Sequence, residues 1–290
     1  MSLIGTVAGA PLSRRLVPNR YRTVVARSFS AGLRRGRSRG TNEPETDQRG
    51  HTESDALVVW QGADTAGLVD PNDTGSAGAV VLAEIDRLFV QAFALVGEGI
   101  AGATHALLAA DREAAKQLMH RDELVDQLSH QIARLAQERL LTGEGSLQER
   151  RELLAVLRML PDLERNGDLA EHIARRAARG LGIEMSARSR GLVERMGEVA
   201  TTIWRSTADV FAARSVAEAV LVDDLDDEMD DLHVTLTAEV ATGTMPLPVA
   251  IELAMVARFY ERFGDHAVSL ARRMAALVSG GPEPGTSGPD

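Results

Sequence analysis

The chain repeats itself. Residues 164–176 read ERNGDLAEHIARR and residues 261–273 read ERFGDHAVSLARR, identical at eight of thirteen positions at an offset of 97. Upstream, Asp122-Glu123-Leu124-Val125-Asp126-Gln127-Leu128 resembles Asp226-Asp227-Glu228-Met229-Asp230-Asp231-Leu232 at an offset of 104. Two matches in the same order indicate a duplication, where low complexity would produce one at most. The offsets differ by seven residues, which the glycine-containing loop at 142–146 absorbs. One unit of three helices is therefore expected to fold twice, over roughly 79–181 and 185–278.

The unit is helical. Apolar residues recur at helical spacing, and no sustained period-two alternation is bounded by turn residues. Aromatic residues make up 3% of the chain, which disfavours a β-sandwich or barrel. The spacing predicts six helices, near 79–109, 111–141, 147–180, 185–213, 215–242 and 247–278. Breaks fall at Thr142-Gly143-Glu144-Gly145, Gly180-Leu181-Gly182 and Thr242-Gly243-Thr244. Ser146 followed by Glu149 reads as a capping box opening the third helix. Pro246 and Pro248 fit the first turn of the sixth, where a missing N–H costs nothing.

Charge divides the chain. Residues 1–40 hold nine arginines and no acid, so the remaining 250 residues carry 32 − 9 = 23 basic groups against 42 acidic ones. Residues 1–77 read as a basic arm and a disordered linker, repeat 1 spans 78–182, repeat 2 spans 183–278, and 279–290 form a disordered tail. The arm has the composition of a transit peptide. It is read instead as a disordered arm or an over-extended start. An acidic body repels nucleic-acid phosphates and attracts cations. No apolar run reaches the roughly 18 residues that a membrane span needs. The absence of cysteine excludes disulfides, thiolate zinc sites, iron–sulfur clusters and cysteine nucleophiles.

Each repeat supplies two acid pairs spaced four apart: Asp122/Asp126 and Glu164/Asp168, then Asp226/Asp230 and Glu261/Asp265. That spacing sets both members of a pair on one helix face. Like charges there destabilise a helix by about 0.2–0.5 kcal/mol, so something must offset them. Asp122 falls on the apolar stripe of Leu118, Val125, Ile132 and Leu135, and Asp226 on that of Val222, Met229 and Leu236. Gly167 and Gly264 remove side chains just where a second helix or a metal would approach. Two readings stay open. The acids pair with the nearby Arg121, Arg165, Arg258 and Arg262, or each repeat holds a carboxylate-lined metal site. Hard oxygen donors suit iron, manganese or magnesium, with zinc also in range.

His130, His172 and His233 follow acids by four, four and three residues. Asp230-x-x-His233 approaches the Glu-x-x-His spacing of di-iron bundles, but it occurs once and in altered form. His266 reads as a surface or supporting residue. Phosphate-cradling loops, a nucleophile elbow and the HExxH zinc motif are all missing. Met159, Met196 and Trp204 are expected in the core. A carboxylate-bridged di-iron-type metalloenzyme, or a metal-storage or scaffold helical protein, remains an alternative at this stage.

The repeated E-R-x-G-D-x-A and D-x-x-x-D motifs in a duplicated helical body resemble the PhoU family of phosphate-uptake regulators, over residues 79–278. The resemblance implies an all-α fold of two tandem antiparallel three-helix bundles related by pseudo-twofold symmetry. It implies a cytoplasmic, non-enzymatic negative regulator, peripheral to the inner face of the plasma membrane. Its implied partners are the phosphate ABC transporter and a sensor histidine kinase. A homodimer or higher oligomer is expected, with no nucleic acid bound. By motif position, the candidate metal ligands are Asp122, Asp126, Glu164, Asp168, Asp226, Asp230, Glu261 and Asp265. Two departures touch the first site. Asn166 stands where the family has an apolar residue, and Pro161 lies inside the third helix, where a proline costs about 3 kcal/mol and kinks the chain. The second site is therefore expected to bind metal more tightly.

Overall fold

A computed structural model describes residues 74–279 apart from Ser215 and Thr244. Eight helices follow in order: α1 Thr74–Ala109, α2 Arg112–Leu118, α3 Asp122–Leu141, α4 Leu147–Ala178, α5 Leu181–Glu184, α6 Ala187–Ala213, α7 Val216–Thr242 and α8 Leu247–Ser279. No strand occurs among the described residues. The basic arm, most of the linker and the tail from 280 lie outside them. Residues 74–77 and Ser279, expected in the flanking segments, are helical.

The expected helix over 111–141 is broken. α2 ends at Leu118, and α3 restarts at Asp122 after a turn in which the Arg121 N–H donates to the Leu118 carbonyl. Asp111 opens α2 by accepting from the Ala114 N–H, 3.0 Å away. The break sets Asp122 and Glu123 in the first turn of α3, where the helix dipole favours carboxylates. In the second repeat the matching stretch is one helix, α7. The loop at 180–186 holds the extra turn α5, and Gly180 ends α4 at φ 93°, a conformation that glycine adopts without a Cβ clash.

Half of the expected capping box forms. Ser146 Oγ accepts from the Glu149 N–H at 3.1 Å. The Glu149 carboxylate does not reach back; it accepts from Arg139 Nε at 2.6 Å. A buried guanidinium is a stronger partner than a backbone N–H. At the start of α8 the Pro246 carbonyl accepts from the Ala250 N–H, in keeping with prolines at a helix entrance.

α1, α3 and α4 pack as one three-helix bundle, and α6, α7 and α8 as the other. The bundles lie side by side with α4 on α8 and α1 on α6. The few aromatic residues gather at this seam. Phe93 and Trp204 rings lie 4.9 Å apart, Phe89 and Phe211 5.0 Å, and Trp204 and Phe263 5.3 Å. The Trp204 indole N–H donates to the Phe93 carbonyl at 2.8 Å, so its polar atom is satisfied inside the core. Met159, Met196 and Trp204 are all buried.

Where α4 crosses α8, contacts come in symmetry mates. Asp162 meets Ser269 at 3.0 Å, and its mate at the offset of 97, Phe259, stacks on His172, the mate of Ser269, at 5.2 Å. Arg273 approaches Asp162 at 3.6 Å, and its mate Arg176 lies over the Phe259 ring at 4.5 Å. One side of the crossing is therefore ionic and the other aromatic, on one backbone plan.

Candidate functional site

The bundles bring the acid pairs together as two sets of four. The charges of Asp126 on α3 and Asp168 on α4 lie close enough to raise the Asp122 and Glu164 carboxyls. The charges of Asp230 on α7 and Asp265 on α8 raise the Asp226 and Glu261 carboxyls. The glycines make this approach possible. A Cβ added at Gly167 would lie 2.8 Å from Asp122 Oδ1, and one added at Gly264 would lie 2.8 Å from Asp226 Oδ1. The equal distances show that α3 approaches α4 at Gly167 as α7 approaches α8 at Gly264. α4 runs helically through Pro161, whose ring is exposed on the outer face.

The electrostatics are those of acids crowded without enough counter-charge. Burial, then the charges of Asp168 and Asp126, pushes the Asp122 carboxyl up to about 7. Burial, then Asp265 and Asp230, pushes Asp226 up to about 6. Glu164 is raised by burial and by Asp126. Glu261 is raised by burial and by Asp265, with Arg258 pulling the other way. Of the neighbouring arginines, Arg258 donates to Glu261, while Arg165 bonds Asp162 and Arg121 bonds Glu98.

The acid faces carry the oxygen-donor chemistry of a hard-cation site. Asp122 Oδ1 and Glu261 Oε2 are buried and lack a hydrogen-bond partner. Buried oxygens of this kind are costly unless something positive or a donor meets them. Among the described residues no group of three or more His, Asp or Glu side chains is placed to hold a metal ion. Asp168, Asp230 and Asp265 are exposed, which puts the acids on a rim of each bundle. A ferritin-like centre would project its ligands into the bundle core.

The histidines divide by place. His130 and His233 lie near Glu164 and Glu261 respectively, and His130 Nδ1 lies 2.7 Å from the Asp126 carbonyl. His172 and His266 serve the α4–α8 crossing, His266 Nδ1 lying 3.6 Å from Asp162. The sequence analysis did not single out Ser129, Glu171 or Gly99. Glu171 and Gly99 line a water-sized cavity beneath Asp122, together with Gly167 and Ala170. Ser129 and Glu171 each stand three residues after a motif aspartate, which is the signal that would have found them.

A family model described as the PhoU domain matches residues 89–177 and 193–274, once over each bundle and over more than half of the chain. The chain belongs to the PhoU family. Each match contains one full set of four acids. The chain is 34% identical over 192 residues to the phosphate-specific transport system accessory protein PhoU homolog 1 of Mycobacterium bovis, covering 64% of this chain and 86% of that protein. It is 31% identical over 209 residues to homolog 2 of the same organism, covering 69% and 95%. Among solved structures, PhoU from Pseudomonas aeruginosa aligns with a TM-score of 0.65 at 26% identity, covering 70% of this chain and 99% of that one. PhoU from Streptococcus pneumoniae shares the fold with a TM-score of 0.63 at 20% identity, covering 70% and 97%. Among the described residues no helix is long and apolar enough to cross a membrane.

Proposed function

We propose that this PhoU-family protein is a negative regulator of phosphate uptake and phosphate-regulon signalling. It acts by contact between the phosphate ABC transporter and a sensor histidine kinase, at the cytoplasmic face of the membrane, as a homodimer or higher oligomer, and without turning over a substrate. The observation that carries this reading is the family match over both bundles, with relatives at 34% and 31% identity named as accessory proteins of phosphate-specific transport. The two carboxylate faces would hold multivalent cations, with Asp122, Asp126, Glu164 and Asp168 on one and Asp226, Asp230, Glu261 and Asp265 on the other. Iron, zinc, manganese and magnesium are the candidates. A cation there would bind two helices into one face and supply the positive charge that the crowded acids lack. The buried, unpartnered oxygens and the two glycine cradles support this assignment.

The test is genetic. Deleting the gene in a strain that lacks other PhoU-family genes should raise a phosphate-regulon reporter in phosphate-replete medium. Reporter output equal to that of the parent strain would overturn the regulatory reading.

A further inference from the structure

Five large apolar side chains stand in water at one end of the molecule. Leu141 closes α3 and Leu147 opens α4, on either side of the 142–146 loop, and they are 86% and 66% exposed. Val80 lies at this end, because the nearby Gly78 packs on the Glu149 carboxylate in the first turn of α4. Leu154 and Val278 lie there too: Arg273, five residues before Val278, donates to the Arg158 carbonyl at 3.0 Å. Arg150, Arg151 and Arg158 are exposed among them. Arg150 donates to the Gly143 carbonyl at 2.8 Å and the Gly145 carbonyl at 3.2 Å, which fastens the loop to α4. Glu144, the acid of the loop, is engaged by Arg139.

The chain enters α1 at this same end, at Thr74. Ahead of it, residues 1–40 carry nine arginines and no acid, interleaved with Leu16, Val17, Val24, Val25 and Phe29. The last of those arginines, Arg39, stands 35 residues before Thr74. A coil of that length spans about 30 Å on average. α1 alone, with 36 residues, runs about 54 Å. The arginines therefore reach the surface that the α3–α4 tip reaches more readily than the far end, where Leu247 and Ile251 are also exposed.

We infer that the α3–α4 tip and the arginine arm together dock this protein end-on against an anionic lipid bilayer. Stable attachment of a protein that does not span the membrane takes two signals, a basic segment and an apolar one. The arm supplies the first, because basic side chains are drawn to anionic headgroups. The tip supplies the second, because leucines flanking a loop can enter the interfacial layer. Tethering the two makes the second contact intramolecular once the first has formed. The rest of the chain, with 23 basic and 42 acidic groups, is repelled by the same surface, so the attraction must come from the arm. A nucleic acid would meet the arginines and leave the apolar tip in water. The inference needs neither the cation reading nor a kinase partner.

The experiment is flotation of the full chain with vesicles of phosphatidylcholine and phosphatidylglycerol in equal parts, against vesicles of phosphatidylcholine alone. The chain should float with the mixed vesicles only, and high salt should release it. Changing the nine arginines of residues 1–40 to Gln should weaken binding by about a hundredfold. Leu141→Asn with Leu147→Asn should weaken it by about tenfold with the arm intact. Both leucines stand in water, so the melting temperature of that variant should equal that of wild type. Leu247→Asn with Ile251→Asn should leave flotation unchanged. A wild-type chain that stays off the mixed vesicles, or that binds a DNA duplex in their place, would overturn the inference. Equal loss in the Leu141/Leu147 and Leu247/Ile251 variants would overturn the end-on placement. A Leu141/Leu147 variant that melts lower and floats as wild type would show that the chain itself covers the tip, and would overturn it as well.

Discussion

Asn166 on α4 donates from Nδ2 to the main-chain carbonyl of Phe263 on α8, 3.1 Å away, and the two residues hold the same position in the two repeats. The pseudo-twofold axis therefore passes between them. The crossing is buried, with both residues at 0% exposure. Asn166 thus joins the Asp162–Ser269 and Trp204–Phe93 hydrogen bonds in tying the bundles together. Its phenylalanine mate packs against Trp204.

Replacing Asn166 with Ala should destabilise the protein by about 1–3 kcal/mol, from a lost buried hydrogen bond and a small cavity. Urea denaturation checks this through a lowered midpoint at unchanged slope. Wild-type stability in the variant would mean that the bond contributes nothing net.

The Arg139–Glu149 pair joins the end of α3 to the start of α4 at 2.6 Å, with side chains 7% and 10% exposed. Arg139→Met should cost about 3–5 kcal/mol, because it leaves the Glu149 carboxylate buried without its strongest partner. Arg139→Met combined with Glu149→Leu should recover most of that loss. A double mutant no more stable than the single one would contradict this account.

Gly167→Ala and Gly264→Ala each gain about 1 kcal/mol of helix propensity and lose the cradle for an aspartate oxygen. Metal-free stability should change little. The rise in melting temperature on adding Mn²⁺ should shrink in each. Full metal stabilisation in both variants would show that Asp122 and Asp226 need no close approach to α4 and α8.

The acid faces also predict a pH dependence. Asp122 and Asp226 bind protons more tightly folded, at about 7 and about 6, than at their ordinary value of 3.8. Across the interval between, the folded chain keeps protons that the unfolded chain has released, so stability contributed by these groups falls as pH rises. The contribution is level below about pH 4 and above about pH 7. Metal-free protein should melt higher near pH 5 than near pH 7.5. Saturating Mn²⁺ should reverse the trend, because the cation needs ionised carboxylates. A metal-free melting temperature that rises across this range would show that other groups dominate.

Much of this protein was written locally. Helical periodicity marked the long helices, and the duplication announced two bundles before any contact was known. Spacing by four set each acid pair on one face, because backbone geometry alone fixes that neighbourhood. Packing between distant helices decided the rest. It broke the helix at 119–121, turned Glu149 from its cap to Arg139, and set Asn166 against Phe263. It also placed Ser129 beside Glu164 and left Pro161 where the other repeat has Arg258 bonded to Glu261. Sequence fixes which residues share a turn of helix. Which charge a buried carboxylate meets across an interface depends on how two helices cross, and only the packed core determines that crossing.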